Sequence, residues 1–410
     1  MARRDRPHDD RAGPEGNPWD SAYPTIGHGR PGGTGWRPTG IGRTVVAAPM
    51  PTPRQEPTLP RIELRAATRR YPGGVAALDA LDLAVEAGEY LAVVGPSGSG
   101  KSTLLRVVAG LEALDGGEVH LAGRRADGLA PADRDAAMVF QDQPLYPHLS
   151  VYENLAFGLR ARRRGAAEVD ARVAEVAALM GVADLLKRAP STLSGGQRRR
   201  VALGRALARS PSVLLLDEPL SGLDGPLRDE LRGVLAEAHR RSGASTIHVT
   251  HDQAEALALG DRVAVLQAGR IAQVGPPGDV YARPATRSVA AFFGSPPMNF
   301  LPGEVLINRS FAIDGLGTFD LVGVETPPPG PVEVGLRPEH LAVDGDGPIR
   351  GVIGRLEPVG HEVRAWADSG GHRLGLRLPR EAGFEVGDPI ALRAGWSRAS
   401  WFDPETGVRL

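Results

Sequence analysis

From Ile62 onward, apolar and polar residues alternate, first at Ile62, Leu64 and Ala66 and then at Leu81, Leu83 and Val85. A two-residue period predicts two half-buried antiparallel strands, with these side chains on the covered face. The pattern then changes. Residues 91–94, 137–140, 213–216 and 246–249 form short apolar runs that stop at Gly95, at Gln141, at Asp217 and at Thr250 with His251. Runs this short suit strands buried on both faces of a mainly parallel sheet. Ligands bind such sheets at the carboxyl ends of their strands, and all four runs end at residue types suited to phosphate or metal chemistry. Helical patterning follows the first run, over residues 102–111. It also dominates from Ser150 to about Arg209, where 166–180 is rich in alanine, valine and leucine without proline. From about Pro296, glycine and proline recur between short strands at 332–335, 351–354 and 363–367, which predicts a small β-barrel or sandwich.

Composition adds one segment and removes several function classes. The first 60 residues hold nine glycines and eleven prolines, too little apolar surface to offset the entropy of ordering them. Residues 1–60 are therefore expected to be a disordered extension. Residues 61–295 are expected to form a nucleotide-binding domain, with a helical subdomain at about 142–209, and residues 296–410 a C-terminal β domain. A net charge of -1 over 410 residues argues against a whole-chain nucleic-acid footprint. The chain has no cysteine, which excludes disulfides and thiolate metal sites. No apolar stretch approaches 18 residues, and no apolar segment follows the basic start at Arg3, Arg4 and Arg6. The expected location is the cytoplasm, with any membrane association supplied by a partner.

The chemistry begins at Gly95, Pro96, Ser97, Gly98, Ser99, Gly100, Lys101, Ser102 and Thr103. This glycine-rich loop lies between an expected strand and an expected helix, the context a phosphate-binding loop requires. Glycines let backbone N–H groups converge on phosphate oxygens, and the helix N-terminus adds about half a positive charge there. Lys101 is expected to reach the β- and γ-phosphates, and Ser102 to offer its hydroxyl to Mg²⁺. Asp217 and Glu218 end another strand. Mg²⁺ prefers oxygen ligands, so Asp217 is expected to hold the metal and Glu218 to polarise the attacking water. Gln141 is expected to ligate Mg²⁺ or order water without adding charge. His251 is expected to hydrogen-bond a γ-phosphate oxygen. By itself this constellation says only nucleoside triphosphate; kinases, GTPases and ATPases share it.

Leu193, Ser194, Gly195, Gly196 and Gln197 separate these classes. They resemble the signature motif of ABC ATPases, and the order of the other motifs agrees. Tyr71 looks like the aromatic residue that stacks on adenine, Gln141 like the Q-loop glutamine, residues 221–224 like the D-loop, and Thr250 to Asp252 like the H-loop. Gly222 stands where the family usually has asparagine or alanine, and Arg199 where it usually has glutamine. The resemblance implies that Ser194, Gly195, Gly196, Gln197 and Asp224 act in trans, completing the ATP site of a second copy of the chain. The arginine runs 198–200 and 162–164 read as solvated helix faces, and the change at Arg199 as one confined to the helix surface.

Residues 145–151 and 153–158 resemble importers of the carbohydrate-uptake class, in which this region docks on a permease helix. Asp142, Gln143 and Pro144 replace that family's usual Asn-Tyr-Ala. Residues 294–300, 335–340 and 402–407 resemble the junction, the C-terminal domain and the tail of maltose- and glycerol-phosphate-type ATPases. The fold expected is an α/β P-loop ATPase with an antiparallel β subdomain and a helical subdomain, followed by a small β-barrel-like domain of OB/TOBE type. The implied function is ATP hydrolysis, with ATP and Mg²⁺, driving import of a sugar or sugar-like solute. The implied partners are a second copy of the chain, two membrane permeases and, indirectly, an extracytoplasmic solute-binding protein, at the cytoplasmic face of the membrane. Import of a polyamine, sulfate or iron is the alternative within the fold. A nucleic-acid-acting ABC ATPase would carry tandem modules or a coiled coil, and a small-molecule kinase would lack residues 193–197.

Overall fold

In a computed structural model of the chain, residues 61–142 and 145–410 are described; the extension expected over residues 1–60, like Gln143 and Pro144, lies outside the described residues. Ile62–Arg70 and Ala76–Val85 pair antiparallel, and Gly116–Leu121 and Arg124–Arg125 complete a four-stranded sheet. Ile62, Leu64, Leu81, Leu83 and Val85 are buried as the alternation requires. Ala66 is not. The pairing register shifts between Leu64 and Ala67, Ala66 takes φ 45, and Ala67 enters the core instead. A bulge adds one residue to the strand, so every side chain beyond it changes face.

The four apolar runs become adjacent strands of one six-stranded sheet. Ala136–Val139, Val213–Asp217, Ser245–Val249 and Tyr90–Val94 lie side by side and parallel, followed by Arg262–Gln267 and Arg270–Gly275. Leu214 and Leu216 face a core built with the helices Val151–Ala161, Ala166–Leu179 and Gly195–Ala208. Val213 and Leu215 face another, built with the antiparallel sheet and the helix Lys101–Ala109. Two covered faces explain why the runs are apolar without alternation.

The C-terminal part is two five-stranded antiparallel sheets around one core. Phe311, Val334 and Leu336 of one sheet pack with Ala365, Leu376 and Leu392 of the other. Its strands are longer than the apolar fragments seen along the chain: residues 351–354 sit inside Ile349–Val359, and residues 363–367 inside Glu362–Ser369.

Two devices fasten this part to the rest. Arg337, 2% exposed, extends from the end of strand Gly330–Leu336. Its guanidinium donates to the carbonyls of Tyr281, Ala290 and Phe293 and lies 3.9 Å from the Tyr281 ring centroid. The tail also folds back, with Arg287 N–H donating to Gly407 O and Arg409 N–H to Ala285 O.

Candidate functional site

The loop after Tyr90–Val94 is shaped by close approach. Gly95 and Gly100 take φ 156 and 106, and a Cβ at either would sit 2.0 Å from a backbone oxygen, that of Leu266 or of Ala77. No other residue fits there. Lys101 opens the helix and is largely buried; its Nζ donates to Gly95 O at 2.8 Å and Pro96 O at 2.9 Å, so the ammonium curls under the loop. Burial lowers its pKa, opposed by the carboxylates of Glu218 and Asp217. Ser99 is 4% exposed, and its Oγ has no hydrogen-bond partner among the described residues. An unsatisfied buried hydroxyl inside such a loop suits an incoming oxyanion.

The next residue of the helix, Ser102, donates its hydroxyl to Asp217 Oδ1 at 3.0 Å. Asp217 ends the strand Val213–Asp217 and is 6% exposed. Burial pushes its carboxyl pKa up, with the Ser102 hydrogen bond opposing. Glu218 lies just beyond the strand with φ 47, a conformation uncommon for a residue with a side chain. Its N–H donates to Val249 O at 2.9 Å. This turn points the two adjacent carboxylates differently: Asp217 toward Ser102, Glu218 toward Gln141 and His251. Gln141 Nε2 donates to Glu218 Oε2 at 3.3 Å, and His251 Nδ1 lies 3.1 Å from the same oxygen. Gln141, Glu218 and His251, from three strand ends, are thus brought together.

Tyr71 is fixed by neighbours the sequence did not suggest. Its hydroxyl donates to Glu112 Oε2 at 2.6 Å and lies 3.2 Å from Thr103 Oγ1. Arg106 and Arg69 also hold Glu112, and Arg69 lies 5.3 Å from the Tyr71 ring centroid. Glu112 follows the helix in an unpatterned stretch, so no sequence signal marks it.

The residues expected to act in trans take part in local capping. Ser194 caps the helix Gly195–Ala208: its Oγ accepts from Gln197 N–H, and the Gln197 side chain accepts from Ser194 N–H. Asp224 caps Gly225–Ser242, its carboxylate accepting from Leu227 N–H. Gly195 is exposed and Gly196 buried. Of the arginines after the signature, Arg198 is exposed, whereas Arg199 and Arg200 are half-buried. Arg198 donates to Leu193 O, Arg200 is ion-paired to Glu230, and Arg199 keeps a buried Nη1 without a partner among the described residues. In the other run, Arg162 and Arg164 do pair at the surface, with Asp135 and Glu168.

In the segment resembling a permease-docking region, Asn154 is fully buried. It accepts from Tyr146 N–H and donates to the carbonyls of Tyr146, Leu149 and Ser150, which fixes the shape of that loop. Beside it, a 440 Å³ groove is lined by Tyr146, Phe140, Phe157 and small residues, with Arg162, Arg205 and Arg209 adding positive charge; Phe140 and Phe157 are 42% and 45% exposed.

With this geometry in view, likeness to known proteins is specific. Residues 78–221 match the ABC transporter family, residues 294–341 the MalK OB fold domain, and residues 334–402 the TOBE domain. The sn-glycerol-3-phosphate import ATP-binding protein UgpC of Ralstonia nicotianae is 43% identical over 360 residues, spanning 85% of this chain and 98% of that one. Its namesake in Cupriavidus pinatubonensis is 42% identical over 366 residues, spanning 85% and 99%. Among solved structures, cbiO1 from Clostridium perfringens, part of the ABC transporter complex cbiONQ, is similar with a TM-score of 0.52 and 29% identity, covering 55% of this chain and 91% of that one.

Proposed function

This chain belongs to the ABC transporter family as an ATP-binding, ATP-hydrolysing importer subunit, and we propose that it energises uptake of sn-glycerol 3-phosphate or a similar sugar-like solute. The names of its relatives, at over 40% identity across nearly their whole length, support that solute class over polyamines, sulfate or iron.

The observation that carries the mechanism is the shared Glu218 oxygen, flanked by Gln141 and His251 at the mouth of the phosphate loop. Lys101 and the loop N–H groups bind the β- and γ-phosphates of ATP. Glu218 takes a proton from the attacking water, Gln141 orients that water, and His251 holds a γ-phosphate oxygen until the phosphate leaves. Tyr71 stacks on the adenine. Ser102, Asp217 and Gln141 fit Mg²⁺: the buried Asp217 carboxylate and the Ser102 hydroxyl are hard oxygen donors already in contact. When bound, Mg²⁺ offsets negative charge on the phosphates.

The ATP site is completed by a second copy of the chain through Ser194, Gly195, Gly196, Gln197 and Asp224. Residues 61–295 form the ATPase module and residues 296–410 the β domain. Two permeases seat the dimer at the cytoplasmic face of the membrane, with a helix of each in the groove lined by Tyr146 and Phe157. The solute-binding protein acts at a distance, and nucleic acid has no part. The test of the solute is uptake of labelled sn-glycerol 3-phosphate by cells carrying or lacking this gene. Equal uptake in both would remove that solute and leave the ATPase assignment standing.

A further inference from the structure

Strand Ser245–Val249 runs directly into His251, and its interior carries a polar cluster that the mechanism above does not use. His248, in mid-strand, is fully buried. Its Nδ1 lies 3.0 Å from the hydroxyl of Tyr90, the first residue of the phosphate-loop strand, also buried. The other ring nitrogen, Nε2, has no hydrogen-bond partner among the described residues and points toward Glu255 Oε2, 3.7 Å away. Glu255 is 3% exposed and lies on the helix Gln253–Leu259, just past the H-loop. Its Oε2 accepts from Thr250 Oγ1 at 2.8 Å. Thr250 Oγ1 in turn accepts from Asp252 N–H at 3.0 Å. The backbone on either side of His251 is therefore tied to one side-chain oxygen, and that oxygen to the Glu255 carboxyl.

A buried carboxyl group is costly unless its hydrogen bonds do something for the fold or the reaction. Burial raises the pKa of Glu255. Two other roles are already filled. Asp252 Oδ1 caps the helix at Ala254 and Glu255 N–H, so the carboxyl of Glu255 is not needed as a cap. Arg228 makes its ion pair with Asp252 and, like Arg199, acts on Glu255 only through its charge. What the Glu255 side chain does touch is Thr250, whose own N–H donates to Val93 O on the phosphate-loop strand at 3.1 Å. Thr250 is thus pinned on one side to the strand that carries the phosphate loop and on the other to Glu255, with His251 as the next residue.

We propose that Glu255 is a positioning residue of the ATPase reaction: through Thr250 it fixes the turn that aims His251 at Glu218 and the γ-phosphate. The Tyr90–His248 pair backs Glu255 from the sheet side, so the phosphate-loop strand and the H-loop keep one register. This inference rests on the reading of His251 as the γ-phosphate sensor. Displacing a catalytic group by about 1 Å can reduce turnover about 10²-fold while the nucleotide pocket itself is intact.

The test compares ATPase kinetics of the full chain bearing Glu255→Ala, Glu255→Gln, Thr250→Val or His251→Ala, with thermal unfolding of each. The expected result is a kcat lower by about 10²-fold for Glu255→Ala and Thr250→Val, with KM for ATP unchanged. Glu255→Gln keeps an amide oxygen for Thr250 to donate to and should recover most of the lost kcat. Thr250→Val removes that hydrogen bond, together with the acceptor for Asp252 N–H, almost without change of shape, so a wild-type kcat there decides against the proposal even if Glu255→Ala fails to fold. Wild-type kcat in Thr250→Val, or equal losses in the Gln and Ala variants, overturns the positioning role. His251→Ala separates the two readings. If it hydrolyses ATP at the wild-type rate, the sensor reading fails and this proposal with it. If it is inactive while the Thr250 and Glu255 variants are normal, only the proposal fails.

Discussion

The Nδ1 of His251 lies 3.1 Å from Glu218 Oε2, a contact between the carboxyl ends of two neighbouring parallel strands. A strained turn at Glu218 makes it: with φ 47 the side chain swings away from Asp217, which stays with Ser102. The two adjacent carboxylates thereby have separate partners, which is the arrangement the proposed division between metal and water requires.

That division makes Glu218→Gln the most direct test of the hydrolytic step. The amide keeps the shape and cannot accept a proton. ATP binding should persist while turnover falls by about 10²–10⁴-fold, the usual contribution of a general base. Light scattering should show this variant trapped as a dimer with ATP. Adding Ser194→Arg should abolish that dimer and leave ATP binding by each chain intact. Rapid hydrolysis by Glu218→Gln would remove the base role, and normal ATP-driven dimers of the double variant would remove the shared site.

Tyr71 and Glu112 should behave as a unit. Tyr71→Ala should weaken ATP binding by about 1–3 kcal/mol through lost base stacking. Tyr71→Phe and Glu112→Ala remove the same hydroxyl–carboxylate bond, each for about 1 kcal/mol. Their double variant should cost no more than one of them. Titration with a fluorescent ATP analogue measures all four, and strictly additive losses would show that the hydroxyl contact does not orient the ring.

His248 gives a pH dependence of stability. Burial pushes its pKa down to about 3, against about 6.5 in an unfolded chain. The unfolded state then binds the extra proton first as pH falls. Stability is complete above about 6.5 and declines toward 3, by at most about 1.4 kcal/mol per pH unit for one such group. Burial lowers the pKa of His239 as well, which adds in the same direction. Urea unfolding from about pH 7 to about pH 5 should show this slope, and His248→Phe should flatten it. An identical slope in that variant would assign the dependence elsewhere.

Arg337 should not tolerate lysine. Its guanidinium serves three carbonyls at once while stacked on Tyr281, and an ammonium cannot reproduce that fork. Each carbonyl left unpaired costs about 1–3 kcal/mol. Calorimetry of Arg337→Lys should show a lower melting temperature, and limited proteolysis should release a fragment beginning near residue 296. Wild-type behaviour in both assays would mean the tail contacts at Gly407 and Arg409 hold the β domain unaided.

Much of the site is legible in the sequence. A glycine loop between strand and helix, and apolar runs that stop at Gln141, Asp217 and His251, are local patterns, carried by residues adjacent in the chain. Burial on both faces, which makes those runs unbroken, is itself a sequence signal. The features that are not legible depend on contacts between distant segments. The bulge at Ala66 is a pairing irregularity set by the partner strand. Glu112 reaches Tyr71 only because the segment after the helix Lys101–Ala109 runs back to the end of the first strand, where Asp115 N–H donates to Thr68 O. Arg337 and the tail look like β-domain features along the chain, yet they act on helices of the ATPase part. Arg199, expected on the surface, has a buried guanidinium nitrogen because the signature helix packs against neighbours that no nearby residue announces. The sequence determined which groups this protein has for handling a triphosphate. Tertiary structure alone decided which of them share an oxygen, because hydrogen bonds between strand ends depend on how strands stack and not on where they fall in the chain.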